Sequence, residues 1–156
     1  MVFIQSGLPF EVTYRDAGAD RDVGPNRPDL IGNARPGAGN GRTSPYFNVT
    51  PIGTAGSAFA RPAVGTFGNL RRNALTGPGY WRADASLFKK VRLAGRAALE
   101  IRLEAVNLFN HVNLGNPDAE IGVPGNENPA AGLVTSTAYS DSDPQRTFQL
   151  GVRVSF

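Results

Sequence analysis

A chain of 156 residues has the length of one ordinary domain, but 19 glycines and 12 prolines, concentrated in the first half, leave few residues for a core. The absence of cysteine excludes a disulfide scaffold and thiolate metal sites. With 16 basic and 13 acidic residues, and no basic run interleaved with aromatic side chains, nucleic acid is not an expected partner.

Membrane signals of the helical kind are missing from the sequence. No apolar stretch approaches the ~20 residues of a transmembrane helix. The sequence shows no charged start followed by an apolar run, so it predicts no secretory signal. A membrane role would therefore have to use β-strands.

The first half of the chain predicts little regular structure. Residues 1–12, "MVFIQSGLPFEV", favour a strand, although Gly7 and Pro9 interrupt the apolar residues. Residues 13–79 show neither a helical nor a strand period. A loop of this length counts against a compact domain and indicates a functional loop or a disordered segment.

Residues 80–109 predict an antiparallel hairpin. Apolar residues alternate with polar ones in "YWRADASLFKKVRL" and again in "AALEIRLEAVNLF", and the Gly-containing "AGR" at 94–96 separates the two arms. If the turn centres on Gly95, Val91 lies opposite Leu99 and the apolar faces coincide. In the same register Lys90 lies opposite Glu100, a favourable cross-strand charge pair. A slip of one residue would place Glu100 among the leucines.

The remainder reads as a second loop and a closing strand. Residues 110–145 are rich in Asn, Pro and Gly, with a short extended piece at "GLVTSTAY". Residues 146–156, which include "FQLGVRVSF", alternate to the last position and should pair with the second hairpin arm, 97–109.

The strands match the dimensions of membrane strands. A tilted strand of ~9–11 residues spans a bilayer, whereas strands of soluble domains usually have ~5–6 residues. Short turns on one side, long loops on the other and aromatic residues near strand ends are typical of outer-membrane barrels. Lys89, on the apolar face, lies close to the tight turn and could extend into the headgroups. The aromatic residues at the strand ends are Tyr80, Trp81, Phe109, Phe148 and Phe156.

The predicted fold is therefore all-β: an antiparallel meander of about four strands, forming part of a transmembrane β-barrel with long irregular extracellular loops. Alternation assigns each hairpin residue to one of two faces. The residues expected to face lipid are Trp81, Ala83, Ala85, Leu87, Leu99, Ile101 and Leu103. Those expected to face the lumen are Arg82, Asp84, Lys90, Glu100, Arg102 and Glu104.

Candidate chemical sites are weak throughout the sequence. His111 has no partner at a metal-ligand spacing, so a hydrogen-bonding role is favoured. Asp16, Asp20 and Asp22 miss the spacing of a calcium loop. Glu100, Arg102 and Glu104 fit a charge ladder better than a catalytic set, because no nucleophile or base accompanies them. We therefore expect no enzyme activity, no catalytic or metal-binding residue and no cofactor.

Several motifs resemble one known family. "SGLPFEV", "FGNLRRNALTGPGY", "PGYWRADASLFKKVRL" and above all "ALEIRLEAVNLFNHVNLGNP" resemble the C-terminal part of TonB-dependent-receptor-like outer-membrane proteins. The Oar-like group, which carries a carboxypeptidase-regulatory-like domain at its N-terminus, is the most similar. The resemblance covers nearly the whole chain.

The resemblance implies a barrel of about 22 strands around a plug, energised through the TonB complex and importing bulky or scarce solutes. The closing strand would carry the signal read by the barrel assembly machinery. Because plug and most of the barrel are missing, the chain is expected to be a C-terminal fragment that transports nothing alone. It would need outer-membrane lipid and the remainder of the receptor barrel. The signal residues would be Phe148, Leu150, Val152, Val154 and Phe156.

One alternative from another class stays open at this point. The same strands could build a secreted soluble β-sheet module for binding or adhesion, in which the apolar faces pack on each other. The two interpretations differ in one observable. The apolar faces of the hairpin and of the last strand are exposed in a barrel piece and buried in a sandwich.

Overall fold

The computed structural model describes residues 1–14, 26–35, 39–93, 95–138 and 145–156. In these ranges the regular structure consists of β-strands, and no helix occurs. The strands, in chain order, are β1 (Val2–Gln5), β2 (Pro9–Phe10), β3 (Thr13–Tyr14), β4 (Asp29–Leu30), β5 (Phe59–Ala60), β6 (Leu75–Thr76), β7 (Tyr80–Ala83), β8 (Ala85–Arg92), β9 (Ala98–Val106), β10 (Glu120–Ile121) and β11 (Thr147–Ser155).

The chain divides into two compact units. The strand unit comprises Met1–Ser6, Gly79–Asn113 and Thr137–Phe156. The loop unit comprises Gly7–Pro78 and Leu114–Ser136. The long strands predicted from alternation all belong to the strand unit, and most of the Gly- and Pro-rich sequence belongs to the loop unit.

The strand unit is an antiparallel meander. Strands β8, β9 and β11 form one sheet in the order β11-β9-β8, and β1 pairs antiparallel with β7. A single residue, Asp84, separates β7 from β8. The segment from Tyr80 to Arg92 therefore pairs with β1 over its first part and with β9 over the rest. This arrangement confirms the predicted all-β meander of about four strands, and the barrel is not closed.

The predicted hairpin register is confirmed. Val91 lies opposite Leu99, and Lys90 lies opposite Glu100. Gly95 adopts φ 71° in the turn, a conformation that side chains disfavour. Beside the turn, the Leu93 N–H donates to the Ala97 carbonyl at 2.8 Å. The apolar sides of the two arms therefore coincide, as the alternation requires.

The closing strand also pairs as expected. Strand β11 runs antiparallel to β9, from Thr147 opposite Val106 to Ser155 opposite Ala98. Its even-numbered residues continue the apolar face of the hairpin: Val152 lies opposite Ile101. This apolar face is exposed, with Leu87 71% and Val152 64% accessible. The sandwich alternative required the face to be covered, so the structure does not support it.

The loop unit contradicts the expectation of a structureless segment at 13–79. It has a hydrophobic core of its own, drawn from distant parts of the sequence. Within it, Phe47 contacts the rings of Phe10 and Phe59, at centroid distances of 5.7 and 6.4 Å. The core residues are Phe10, Val12, Tyr14, Ala34, Tyr46, Phe47, Ile52, Ala58, Phe59, Leu70, Ile121 and Val123.

The predicted strand at 1–12 is likewise wrong in its extent. It consists of two short strands that fall in different units, β1 and β2. Gly7 lies between them, where the chain passes so close to the Gly77 carbonyl that a side chain would collide with it. The predicted loop 110–145 also contains a strand, β10, which pairs in parallel with β3. Two-residue strands of this kind leave no period in the sequence.

Candidate functional site: the two faces and free edges of the sheet

One face of the three-stranded sheet is apolar and open. In β9, Ile101 and Leu103 are 39% and 43% accessible, while Leu99 is half-buried. In β8, Ala85 and Leu87 are exposed on the same side. Burying one such side chain stabilises by about 1.5–3 kcal/mol, so a continuous open face is costly in water. The face continues across β11 through Phe148, Leu150, Val152 and Val154, and Phe156 is fully exposed beyond the strand.

Two residues expected on this face have different surroundings. Ala83 is 7% accessible, so it is covered in this structure, unlike Leu87 farther along the same segment. Trp81 is 36% accessible, and its ring stacks on His111 with centroids 4.3 Å apart. It also contacts Phe109 at 5.9 Å. Trp81, His111 and Phe109 therefore form an aromatic cluster at the end of the sheet that is farther from the tight turn.

The opposite face carries a row of charges. The Arg102 guanidinium lies between two carboxylates on its own strand, 3.9 Å from Glu100 and 3.5 Å from Glu104. Across the strands, Glu100 is flanked by Lys90 and Arg153. All these groups are at least partly exposed, so each ion pair is worth about 0–1 kcal/mol. Gly151, opposite Arg102, leaves a shallow groove of about 290 Å³ lined by Glu100, Arg102, Glu104, Gln149, Gly151, Val152 and Arg153.

Arg82 and Asp84 form a separate pair at the far end of the segment. Their side chains are in contact at 3.1 Å, which places them on one face. The Asp84 carboxylate also accepts the N–H of Asn107 at 2.9 Å. Of the six residues expected on the polar face, four lie on β8 and β9. The other two, Arg82 and Asp84, lie beside the end of β9.

Sequence reasoning missed two asparagines that organise this end of the sheet. Both Asn107 and Asn113 are fully buried. Asn107 adopts φ 51°; its side chain accepts the N–H of His111 at 3.0 Å and donates to the His111 carbonyl at 2.9 Å. The Asn113 side chain accepts the N–H of Trp81 at 2.8 Å. Both residues belong to the motif "NLFNHVN", in which their buried amides satisfy backbone groups.

The turn after β9 also forms a hydrogen bond with the start of the closing strand. The side chain of Asn110, which adopts φ 52°, accepts the N–H of Arg146 at 3.0 Å. The Leu108 N–H donates to the Ala83 carbonyl at 2.8 Å. The turn after β9 therefore connects to both neighbouring strand segments by hydrogen bonds.

No chemical site accompanies these features among the residues that the structure describes. In those ranges no group of three or more His, Asp or Glu side chains could hold a metal ion. The His111 ring packs on Trp81, and the His111 backbone N–H donates to the side-chain oxygen of Asn107. Asp16, Asp20 and Asp22 lie outside the described residues.

In the described part of the chain, neither edge of the three-stranded sheet has a partner strand. Among the described residues, β11 pairs only with β9, and β8 pairs only with β9. An edge strand presents a row of unpaired N–H and C=O groups that can accept a further strand. The sheet is therefore a segment to which strands can be added at either side.

In the described part of the chain, no helix is long and apolar enough to cross a membrane.

An antiparallel sheet with one open apolar face and one charged face is typical of a segment of a membrane β-barrel. The comparison with known families agrees: a family described as "Outer membrane beta barrel domain" matches residues 1–149. The chain belongs to this outer-membrane β-barrel family, and its location is the outer membrane. Comparison with curated proteins and with solved structures found no match.

Proposed function

We propose that this outer-membrane chain is the barrel-closing C-terminal segment of a TonB-dependent-receptor-like protein of the Oar-like group. It takes part in transport as one wall of a larger barrel and carries out no enzymatic chemistry. The observation that carries the proposal is the open apolar face on a sheet with two free edges. Unpaired amides each cost several kcal/mol in hydrocarbon, so such a sheet requires further strands on both sides.

The two faces then have separate roles. The apolar side of β8, β9 and β11 contacts outer-membrane lipid. The charged side, with Glu100, Arg102 and Glu104 on β9, lines the lumen together with Lys90, Arg82 and Asp84. Trp81 and Phe109 lie at the interfacial end of the sheet, the usual position of aromatic girdles.

The free edge of β11 is the proposed assembly signal. Strand addition takes its affinity from backbone hydrogen bonds and its selectivity from alternate side chains. Phe148, Leu150, Val152 and Val154 alternate along this edge and are exposed. In this proposal the barrel assembly machinery reads them with Phe156, the remainder of the receptor barrel later occupies the edge, and the TonB complex acts on the N-terminal part of such a receptor.

The test compares two exposed phenylalanines. Both substitutions are made in a full-length receptor that ends in this segment, with Phe156→Ala as the variant and Phe67→Ala as the control, because Phe67 is 62% exposed in the loop unit. We expect Phe156→Ala to lower the amount of protein in the outer-membrane fraction and to raise the protease-sensitive amount in the periplasm. Equal outer-membrane levels for both variants would contradict the assembly role.

A further inference from the structure

The loop unit contains an open cavity of about 660 Å³. Two buried side chains of the core lie at its base, Ile52 and Phe59, which are 2% and 0% accessible. Two exposed residues, Ile31 and Pro124, also line it. Binding sites for small molecules usually have volumes of about 300–1,000 Å³ and predominantly apolar walls. The cavity therefore has the size and the lining of a ligand site.

Backbone hydrogen bonds join the segments that form the cavity. The N–H of Ile31 donates to the Ala58 carbonyl at 2.9 Å, beside the pairing of β4 with β5. The N–H of Ile52 donates to the Gly122 carbonyl at 3.1 Å, which connects the turn at 51–54 to the segment after β10. The cavity is therefore built by distant segments of a single unit, and its walls are part of the fold.

Arg61 supplies the charge at the cavity. Among the described residues that line it, Arg61 is the one ionisable side chain, and it is exposed. A guanidinium has five N–H donors, so it can bind a ligand carboxylate and keep another contact at the same time. A cation beside an apolar surface favours a ligand of the opposite charge, because complementary charge selects among ligands of the same shape.

We propose that this cavity binds a small molecule with an apolar body and a single carboxylate. The apolar body contacts Ile31, Ile52 and Phe59, and the carboxylate pairs with Arg61. Covering the exposed Ile31 side chain removes apolar surface from water, which favours binding. This inference goes beyond the proposed barrel function and does not depend on it, since every residue of the lining belongs to the loop unit.

The test uses the purified full chain and two probes of the same shape, the anion 2-naphthoate and its neutral analogue 2-naphthamide. Equilibrium dialysis measures the affinity of each probe, and hydrogen exchange locates the site, because peptides from the loop unit and from the strand unit report separately. The comparison of the two probes removes the apolar contribution that they share.

Two variants change the cavity, and each has a matched control in the same unit. Ala55→Trp fills the cavity from an exposed position of its lining, and Ala63→Trp adds the same ring at an exposed position outside the lining. Arg61→Gln removes the charge of the lining, and Arg71→Gln removes a charge at an exposed position elsewhere in the loop unit.

We expect 2-naphthoate to bind the wild-type chain more tightly than 2-naphthamide and to slow exchange in peptides that cover residues 50–61. Ala55→Trp should lose most of the binding of both probes. Arg61→Gln should weaken binding of 2-naphthoate by about five-fold, the upper end for an exposed ion pair, and leave 2-naphthamide unchanged. Both controls should bind the probes like the wild-type chain.

Equal affinities of the wild-type chain for the two probes, or an equal loss of both in Arg61→Gln, would overturn the carboxylate class. Unchanged binding by Ala55→Trp, or slowed exchange confined to peptides of the strand unit, would overturn the cavity. The Arg61→Gln comparison does not depend on how the filled variant folds, because it is judged by the ratio of two affinities of one protein. If the probes bind as expected while Phe156→Ala assembles normally, the cavity is supported and only the proposed assembly role is contradicted.

Discussion

The two units of this chain use apolar side chains in opposite ways. In the loop unit Phe59 is fully buried in a core assembled from short, distant segments. In the strand unit Leu87 is 71% exposed, although it belongs to one of the most regular strands of the molecule. The regular region therefore presents most of its apolar residues outward, whereas the irregular region buries a set of its apolar residues in a core. The comparison teaches that strand regularity and possession of a core are separate properties of a sequence.

The largest expected effect concerns the core of the loop unit. Replacing Phe59 with Ala should destabilise this unit by about 3–5 kcal/mol, because it removes a ring that contacts Phe47 and leaves a cavity. Hydrogen exchange of peptides from the loop unit measures the loss. The control is Phe67→Ala, since that ring is 62% exposed. Equal exchange in both variants would show that the loop unit has no cooperative core.

The next effect concerns the open face of the strand unit. Leu103→Arg should reduce insertion into lipid by about 2–4 kcal/mol if the residue lies near the bilayer midplane. Gln149→Arg is the control, because Gln149 lies opposite Glu104 on the charged face. Both changes are made in the full-length receptor proposed above, and the amount of each variant in the outer-membrane fraction measures the difference. Equal amounts would contradict the assignment of the apolar face to lipid.

A smaller effect is expected at the turn after β9. Asn107→Ala should destabilise the strand unit by about 1–3 kcal/mol, since it leaves partly buried backbone groups of His111 without their partner. Asn107→Gly controls for backbone strain, because glycine adopts a positive φ freely but also lacks the amide. Urea unfolding followed by fluorescence of Trp81 measures both variants. A glycine variant as stable as the wild type would assign the effect to φ alone.

The smallest effect concerns the charged face. Lys90→Glu places a like charge opposite Glu100 and should destabilise the hairpin by about 0.2–1 kcal/mol. The exchange variant Lys90→Glu/Glu100→Lys restores an opposite pair and should recover most of the loss. Urea unfolding at low salt measures both. A double variant no more stable than the single one would show that this pair does not couple.

The sequence predicted the strand unit in detail because two independent patterns agreed. Alternation defines the faces, and Gly95 defines the centre of the turn; together they allow one register, in which Val91 meets Leu99. The pairing of β11 with β9 followed from the same alternation. The sequence did not show whether the resulting apolar face is covered or open, and only the structure answered that question.

The core of the loop unit could not be predicted because its information is not periodic. Strand β2 pairs with β6, and β4 with β5, each over two residues. Contacts such as that between Phe10 and Phe47 join residues far apart in the chain. A search for periods detects neither. The buried roles of Asn107 and Asn113 were missed for a related reason. An asparagine in a loop motif gives no indication of whether its amide is exposed to solvent or hydrogen-bonded to backbone groups.

The two free edges of the strand unit have a consequence for the purified chain. The outer edge of β11 and the outer edge of β8 are different surfaces, so a contact between them across two copies is head-to-tail. Head-to-tail contacts close into rings when the rotation between copies allows it and otherwise continue as filaments. Whether detergent-free preparations form rings or fibres therefore depends on the twist of a single three-stranded sheet.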